Sequence, residues 1–383
     1  MAAAVAEGSN RILREAIRRA LFFKQLALAS SCWNCPQGAK RYLLTEDILR
    51  LHEFQQQKLA IGYQLYGEKD AYFTAVEEKL TKNRLILKDE LKMLLHLCQT
   101  ESEVEVAKKV IYRYHAENKN MAFGEFKFGP LFMRLCYEMD LEAAAVELIK
   151  DQALHGFFSD STSFNILMDL LFVKGHYECA LEVLLEMKRQ GVKFNKETYL
   201  LAFAICYKLN SSKSCKICTT LLEDLQFKGE PMPRRVYYFA IAFALKQNDV
   251  TKARSFFPYI MNTRSIICSN LKVLLQAESR DPQGLVQTLK QASDSSSDFV
   301  KRPEFCIQVL TTAREKLEGN PTVCVHFEEI FAKLQASGQI TSLTLDDLLC
   351  RTPPTKRRYT HLLRQRQVSQ RTFKPLSSAL LAE

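Results

Sequence analysis

Apolar residues between Ser161 and Asn195 recur at the spacing of a helix, not a strand. Phe164, Leu167, Leu170 and Leu171 fall on one stripe. Gly175 interrupts the pattern, and Tyr177, Ala180, Leu181, Leu184 and Met187 make a second stripe. Gly191 stands just past it, where a helix end favours a residue that accepts positive φ. The segment predicts two antiparallel helices joined by a tight turn. Ala180 would sit at the contact, its small side chain letting the helices approach.

If this hairpin is one unit of a series, a small residue should recur in phase. Ala107, Ala145, Ala180, Cys218 and Ala253 follow one another at intervals of 38, 35, 38 and 35. Gly156, Gly191 and Gly229 each fall eleven residues past their small residue, and Phe164 and Tyr237 sixteen before theirs. The longer intervals need three extra residues each, expected around Ala122 to Glu125 and in the polar Asn210 to Ser214 loop.

The pattern divides the chain into five degenerate hairpins, 88–125, 126–160, 161–195, 196–233 and 234–268. A helical cap is expected before them at 42–87. Divergent helical repeats and a C-terminal cap are expected at 269–350, where segments around Phe305 and Phe327 keep a helical pattern. Only 13 Gly and 11 Pro occur in 383 residues, too few for the turns of a sheet-rich fold. The longest apolar runs, Val236 to Leu245 and Tyr199 to Tyr207, are about half of the roughly 18 to 20 residues that span a bilayer.

Charge separates the ends from the middle. The net charge is +10, of which residues 1–41 hold seven Lys/Arg against two acids and residues 351–383 hold eight against one. The body between them is therefore slightly acidic. Near the start, Arg11, Arg14 and Arg18 lie on one helical face and Ile12, Leu13, Ala16, Ile17, Ala20 and Leu21 on the other. This is the pattern of a mitochondrial presequence, against the alternative of an ordinary amphipathic first helix. Cleavage is expected before Tyr42, removing Cys32 and Cys35 and placing the mature protein in the matrix. The other cysteines are scattered singly through helical segments, as free thiols packed in a core would be.

Catalytic signatures are absent. No Gly-x-x-x-x-Gly-Lys or Gly-x-Gly-x-x-Gly occurs, and the aspartates after Cys268 (Asp281, Asp294, Asp298, Asp346, Asp347) are few and local. Cys215 and Cys218 could form half a zinc site, but no histidine pair accompanies them and core packing accounts for Cys218. No enzyme activity, cofactor or metal is expected.

The unit at 161–195 resembles the pentatricopeptide repeat. It has the aromatic-Asn pair Phe164-Asn165, Val173-Lys174-Gly175 at the turn, Ala180-Leu181, and the ending Glu186-Met187-Lys188-Arg189-Gln190-Gly191. The tetratricopeptide repeat is also a hairpin of about 34 residues, but its Trp-x-x-Leu-Gly-x-x-Tyr opening is missing, and the single tryptophan is Trp33. The resemblance implies an all-α, right-handed superhelical solenoid of degenerate helix-turn-helix hairpins. It also implies single-stranded RNA lying along the inner groove, read base by base by the fifth and last residues of each repeat.

Carried over, the fifth positions are Pro130, Asn165, Leu200 and Tyr238, and the last are Asp160, Asn195, Pro233 and Cys268. Only Asn165 with Asn195 matches a reading pair; Thr162 joins them as a base-reading candidate. Leu200 and Pro233 offer no side-chain hydrogen-bonding group. Backbone phosphates would fall to Lys127, Arg234 and Arg235, and to the tail cations Arg351, Lys356, Arg357, Arg358, Arg364, Arg366, Arg371 and Lys374, a flexible end with Tyr359 and Phe373 interleaved. A role in mitochondrial RNA maturation and respiratory-chain expression follows from the resemblance. The alternative is a protein-binding scaffold docked to the mitochondrial ribosome or an RNA-processing enzyme.

Overall fold

The computed structural model describes residues 43–352, apart from 66, 119–125, 230–231, 261–264, 295–301 and 318. The expected leader, and the tail cations Lys356, Arg357, Arg358, Arg364, Arg366, Arg371 and Lys374, lie outside the described residues. Three helices come first: α1 (Glu46–Leu49), α2 (Leu51–Gln64) and α3 (Lys69–Thr81). Helix pairs then follow one another: α4 (Lys88–Leu97) with α5 (Glu101–Asn118), α6 (Gly129–Glu138) with α7 (Glu142–Lys150), and α8 (Ser161–Lys174) with α9 (Tyr177–Arg189). Next come α10 (Lys196–Leu209) with α11 (Ser212–Lys228), and α12 (Arg234–Lys246) with α13 (Val250–Phe256). Two more pairs continue the series, α14 (Ile266–Glu278) with α15 (Pro282–Asp294) and α16 (Ile307–Leu317) with α17 (Pro321–Ala336); α18 (Leu345–Cys350) closes it. The fold is an all-α helical repeat solenoid. A two-residue parallel pair, Phe305–Cys306 with Ile340–Thr341, is the sheet among the described residues.

Local chemistry sets the helix ends. Asp160 caps α8 by accepting from the Ser163 amide at 3.2 Å, Asn195 caps α10 by accepting from Thr198 at 2.9 Å, and Ser265 caps α14 by accepting from Cys268 at 3.1 Å. Gly175 ends α8 at φ 85°, a left-handed conformation that suits glycine. Asn210 ends α10 in the same region at φ 47°.

The extra residues of the fourth repeat do not sit in the Asn210 to Ser214 loop. The turn between α10 and α11 is as short as that between α8 and α9, two residues in each case. The insertion extends α11 instead, to 17 residues against 13 for α9. A helix lengthens at its free end while keeping its hydrogen-bond ladder, so the added turn disturbs no packing upstream. The residue in register with Ala180 is Cys215, and buried Cys218 lies one turn further along the same face.

The first helices of successive pairs pack side by side, α6 on α8, α8 on α10, α10 on α12, α12 on α14 and α14 on α16. Within that row, every residue from Ser163 to Phe172 in α8 and from Thr198 to Tyr207 in α10 is buried. A helix buried all round has neighbours on every side. Second helices cover one side and row neighbours two others. The fourth is covered by residues 43–54 and α18, which share one core with the row through Leu43, Leu44, Leu349 and Cys350.

Candidate nucleic-acid interface

Asn165 is fully buried. Its Nδ2 donates to Asn195 Oδ1 at 2.9 Å, and its Oδ1 accepts from Thr198 Oγ1 at 2.8 Å. Asn195 Nδ2 in turn donates to Ser161 Oγ at 3.0 Å. The two residues expected to read a base are thus brought together across the repeat boundary, with their amides turned to each other and to the α10 cap. Burial explains the arrangement, because a primary amide in a helix row must find partners inside the protein.

Thr162 and Lys127 occupy a different place. Both line two neighbouring clefts, of about 580 and 500 Å³, that also share Asp160 at the N-terminal edge of the row. Lys127 and Arg234 are exposed.

Arg235 departs from expectation. Instead of facing outward, it donates from Nη1 to the Leu43 carbonyl at 2.8 Å and from Nη2 to the carbonyls of Leu349 at 3.5 Å and Arg351 at 3.2 Å. In the first turn of α12 it lies beneath Leu43 and residues 349–351, which bring carbonyls where a phosphate was expected. Arg351 is exposed, its own carbonyl taken by Arg235.

Three further residues complete this face. Asp169 of α8 is fully buried and accepts from the Leu43 and Leu44 amides at 3.0 and 3.1 Å and from the Tyr137 hydroxyl at 2.8 Å. Burial pushes its carboxyl up to about 6, against the Tyr137 bond, the two amides and the Arg235 charge, which favour the ionised form. Arg134 of α6 donates from Nε to the Leu49 carbonyl at 2.6 Å, and burial lowers its pKa. Lys208 of α10 pairs with Asp346 of α18; burial pulls its pKa down, but the Asp346 bond and charge outweigh it and hold the ammonium above its ordinary value. The signal for the first two was a lone charge inside an apolar run, Asp169 in FNILMDLLF and Arg134 in LFMRLCY. Lys208 gave none.

Among the described residues, no group of three His, Cys, Asp or Glu side chains could hold a metal ion, and no helix is long and apolar enough to cross a membrane. Helix pairs packed in such a row define a helical repeat protein of the pentatricopeptide type. The chain belongs to the family of the mitochondrial pentatricopeptide repeat-containing protein 2, and to the family whose model, described as mitochondrial 28S ribosomal protein S27, matches residues 14–225. The protein of the first name in Homo sapiens is 54% identical over 382 residues, covering 100% of this chain and 98% of that relative. Its Xenopus laevis counterpart is 54% identical over 359 residues, 93% of this chain and 94% of the relative, and the Danio rerio one 51% over 374 residues, 97% of each.

Proposed function

We propose that the protein is a non-enzymatic factor of the mitochondrial matrix that binds single-stranded RNA and serves its maturation, and through it respiratory-chain expression. The observation that carries this reading is the continuous row of first helices, a frame for an extended chain, in a protein whose positive charge is held at its ends. Neutralised phosphates supply most of the affinity for nucleic acid, so the eight Lys/Arg of residues 351–383 would anchor the RNA to this frame. Mobility shifts with protein lacking and retaining residues 351–383 test it. Loss of affinity on removal is expected; absence of binding to any single-stranded RNA at low salt would sink it.

A second reading is favoured by the match over residues 14–225 to the model of a ribosomal small-subunit protein, and by the inward-facing Asn165 and Asn195. In it the solenoid is a scaffold docked to the mitochondrial ribosome or to an RNA-processing enzyme. Crosslinking in cells separates the two. Protein adducts without RNA adducts would select the scaffold.

A further inference from the structure

Three cations of the first-helix row are each held by residues 43–50 or 345–351, which cover that side. Arg134 is held by the Leu49 carbonyl, Arg235 by the carbonyls of Leu43, Leu349 and Arg351, and Lys208 by Asp346. Both arginines are half-buried, and among the described residues neither has a carboxylate within ion-pair distance. We propose that Arg134, Lys208 and Arg235 form a cryptic track for the phosphodiester backbone of single-stranded RNA, closed in this state by residues 43–50 and α18. The proposal rests on the RNA-binding reading above and adds where the backbone lies and what gates it.

The covers imitate what they displace. Backbone carbonyls stand in for phosphate oxygens on the two arginines, and the Asp346 carboxylate stands in for one on Lys208. Each is an oxygen acceptor, but the carbonyls are neutral, so a phosphate offers a stronger, charge-assisted bond in the same place. One cover, α18, is only six residues long. Asp169 lies between the two arginines; it holds the Leu43 and Leu44 amides and feels the Arg235 charge. Arg134 lines a cleft with Arg50, Asp47, Glu53, Asp160 and Glu197, and Glu46 also acts on it.

The Lys208–Asp346 pair is partly buried, its side chains 18% and 34% exposed, and Asp346 also accepts from the Tyr207 hydroxyl. Asp346→Asn and Lys208→Gln both break the ion pair, while Asn keeps an acceptor for Tyr207; if the pair were merely structural, RNA affinity would respond alike from both sides. With the full chain and a uridine homopolymer as probe, Asp346→Asn is expected to bind several-fold more tightly, because α18 opens more readily while the track stays whole. Lys208→Gln removes one phosphate contact and is expected to flatten the log-log salt slope by about 0.7. Amide exchange at Leu43, Leu44 and 345–350 should accelerate when the homopolymer binds, with α8 and α10 unchanged. Binding that leaves those amides protected, with both variants like the parent, would overturn the track but leave RNA binding standing. No binding by the parent or by Asp346→Asn would overturn both.

Discussion

Arg235 donates to the carbonyl of Leu43, 192 residues upstream, at 2.8 Å, and the same guanidinium reaches the carbonyls of Leu349 and Arg351. One side chain in the middle of the solenoid therefore ties down both ends of the described chain. Leu43 and Leu44 are almost wholly buried beside it, and each such leucine contributes ~1.5–3 kcal/mol on burial.

Replacing Arg235 with Gln should loosen both ends together. Hydrogen bonds to a charged group contribute ~1.5–3 kcal/mol, so a loss of about that size is expected in urea denaturation. Amide exchange should rise at Leu43, Leu44 and 345–350 and stay slow in α8. Faster exchange at one end alone would show that the two covers are fastened independently.

Asn165 and Asn195 should prove unequal. Asn165→Ala removes two bonds but leaves Thr198 Oγ1 and Asn195 Oδ1 bonded to each other at 2.7 Å, so a cost of ~0.5–1.5 kcal/mol per lost bond is expected. Asn195→Ala removes an N-cap as well as this contact, so its cost should be at least the ~1 kcal/mol of a cap. Thermal unfolding of the two variants and the double variant checks the coupling: the double should cost less than the sum. Full additivity would mean that the amides do not act as one network.

Asp169 gives a pH dependence of defined sign. Its carboxyl is raised from 3.8 to about 6 by burial, so between those values the folded protein binds the proton more tightly than the unfolded chain. Its contribution to stability is complete below about pH 4 and is lost as pH rises through 6, a change on the order of 3 kcal/mol. Asp169→Asn removes this slope. The stability difference between parent and variant, measured by denaturation from pH 4 to 7, should therefore shift against the parent as pH rises and level off above 6. A difference flat across that range would refute the assignment.

Cys218 should be a poor nucleophile. The contact with Cys206, followed by burial, drives its thiol pKa upward, leaving almost no thiolate at neutral pH. Iodoacetamide should label half-buried Cys179 before Cys218 in the folded protein, read by peptide mass spectrometry. Early labelling of Cys218 would show that α11 opens locally.

The repeat period, the helix pairs and their turns were legible in residues 88–268, because a helical stripe and a glycine stop are local properties of a dozen residues. Even there the insertion of the fourth repeat was misplaced: Cys218 satisfied the search for a small residue, while the helix starts show Cys215 in register with Ala180. Spacing alone does not tell a longer loop from a longer helix when both keep the apolar stripe.

Sequence by itself determined an all-helical repeat body with charge at its two ends, because side-chain periodicity and composition are carried along the chain. The tertiary structure decided what the row of first helices faces. Asn165, a base-reading candidate, bonds Asn195 here, and Arg235, a phosphate candidate, holds the carbonyls of Leu43 and Arg351. Polar groups take the nearest acceptor or donor in space, and here that partner comes from the next repeat or from segments more than a hundred residues away. No local pattern encodes a contact made across 192 residues.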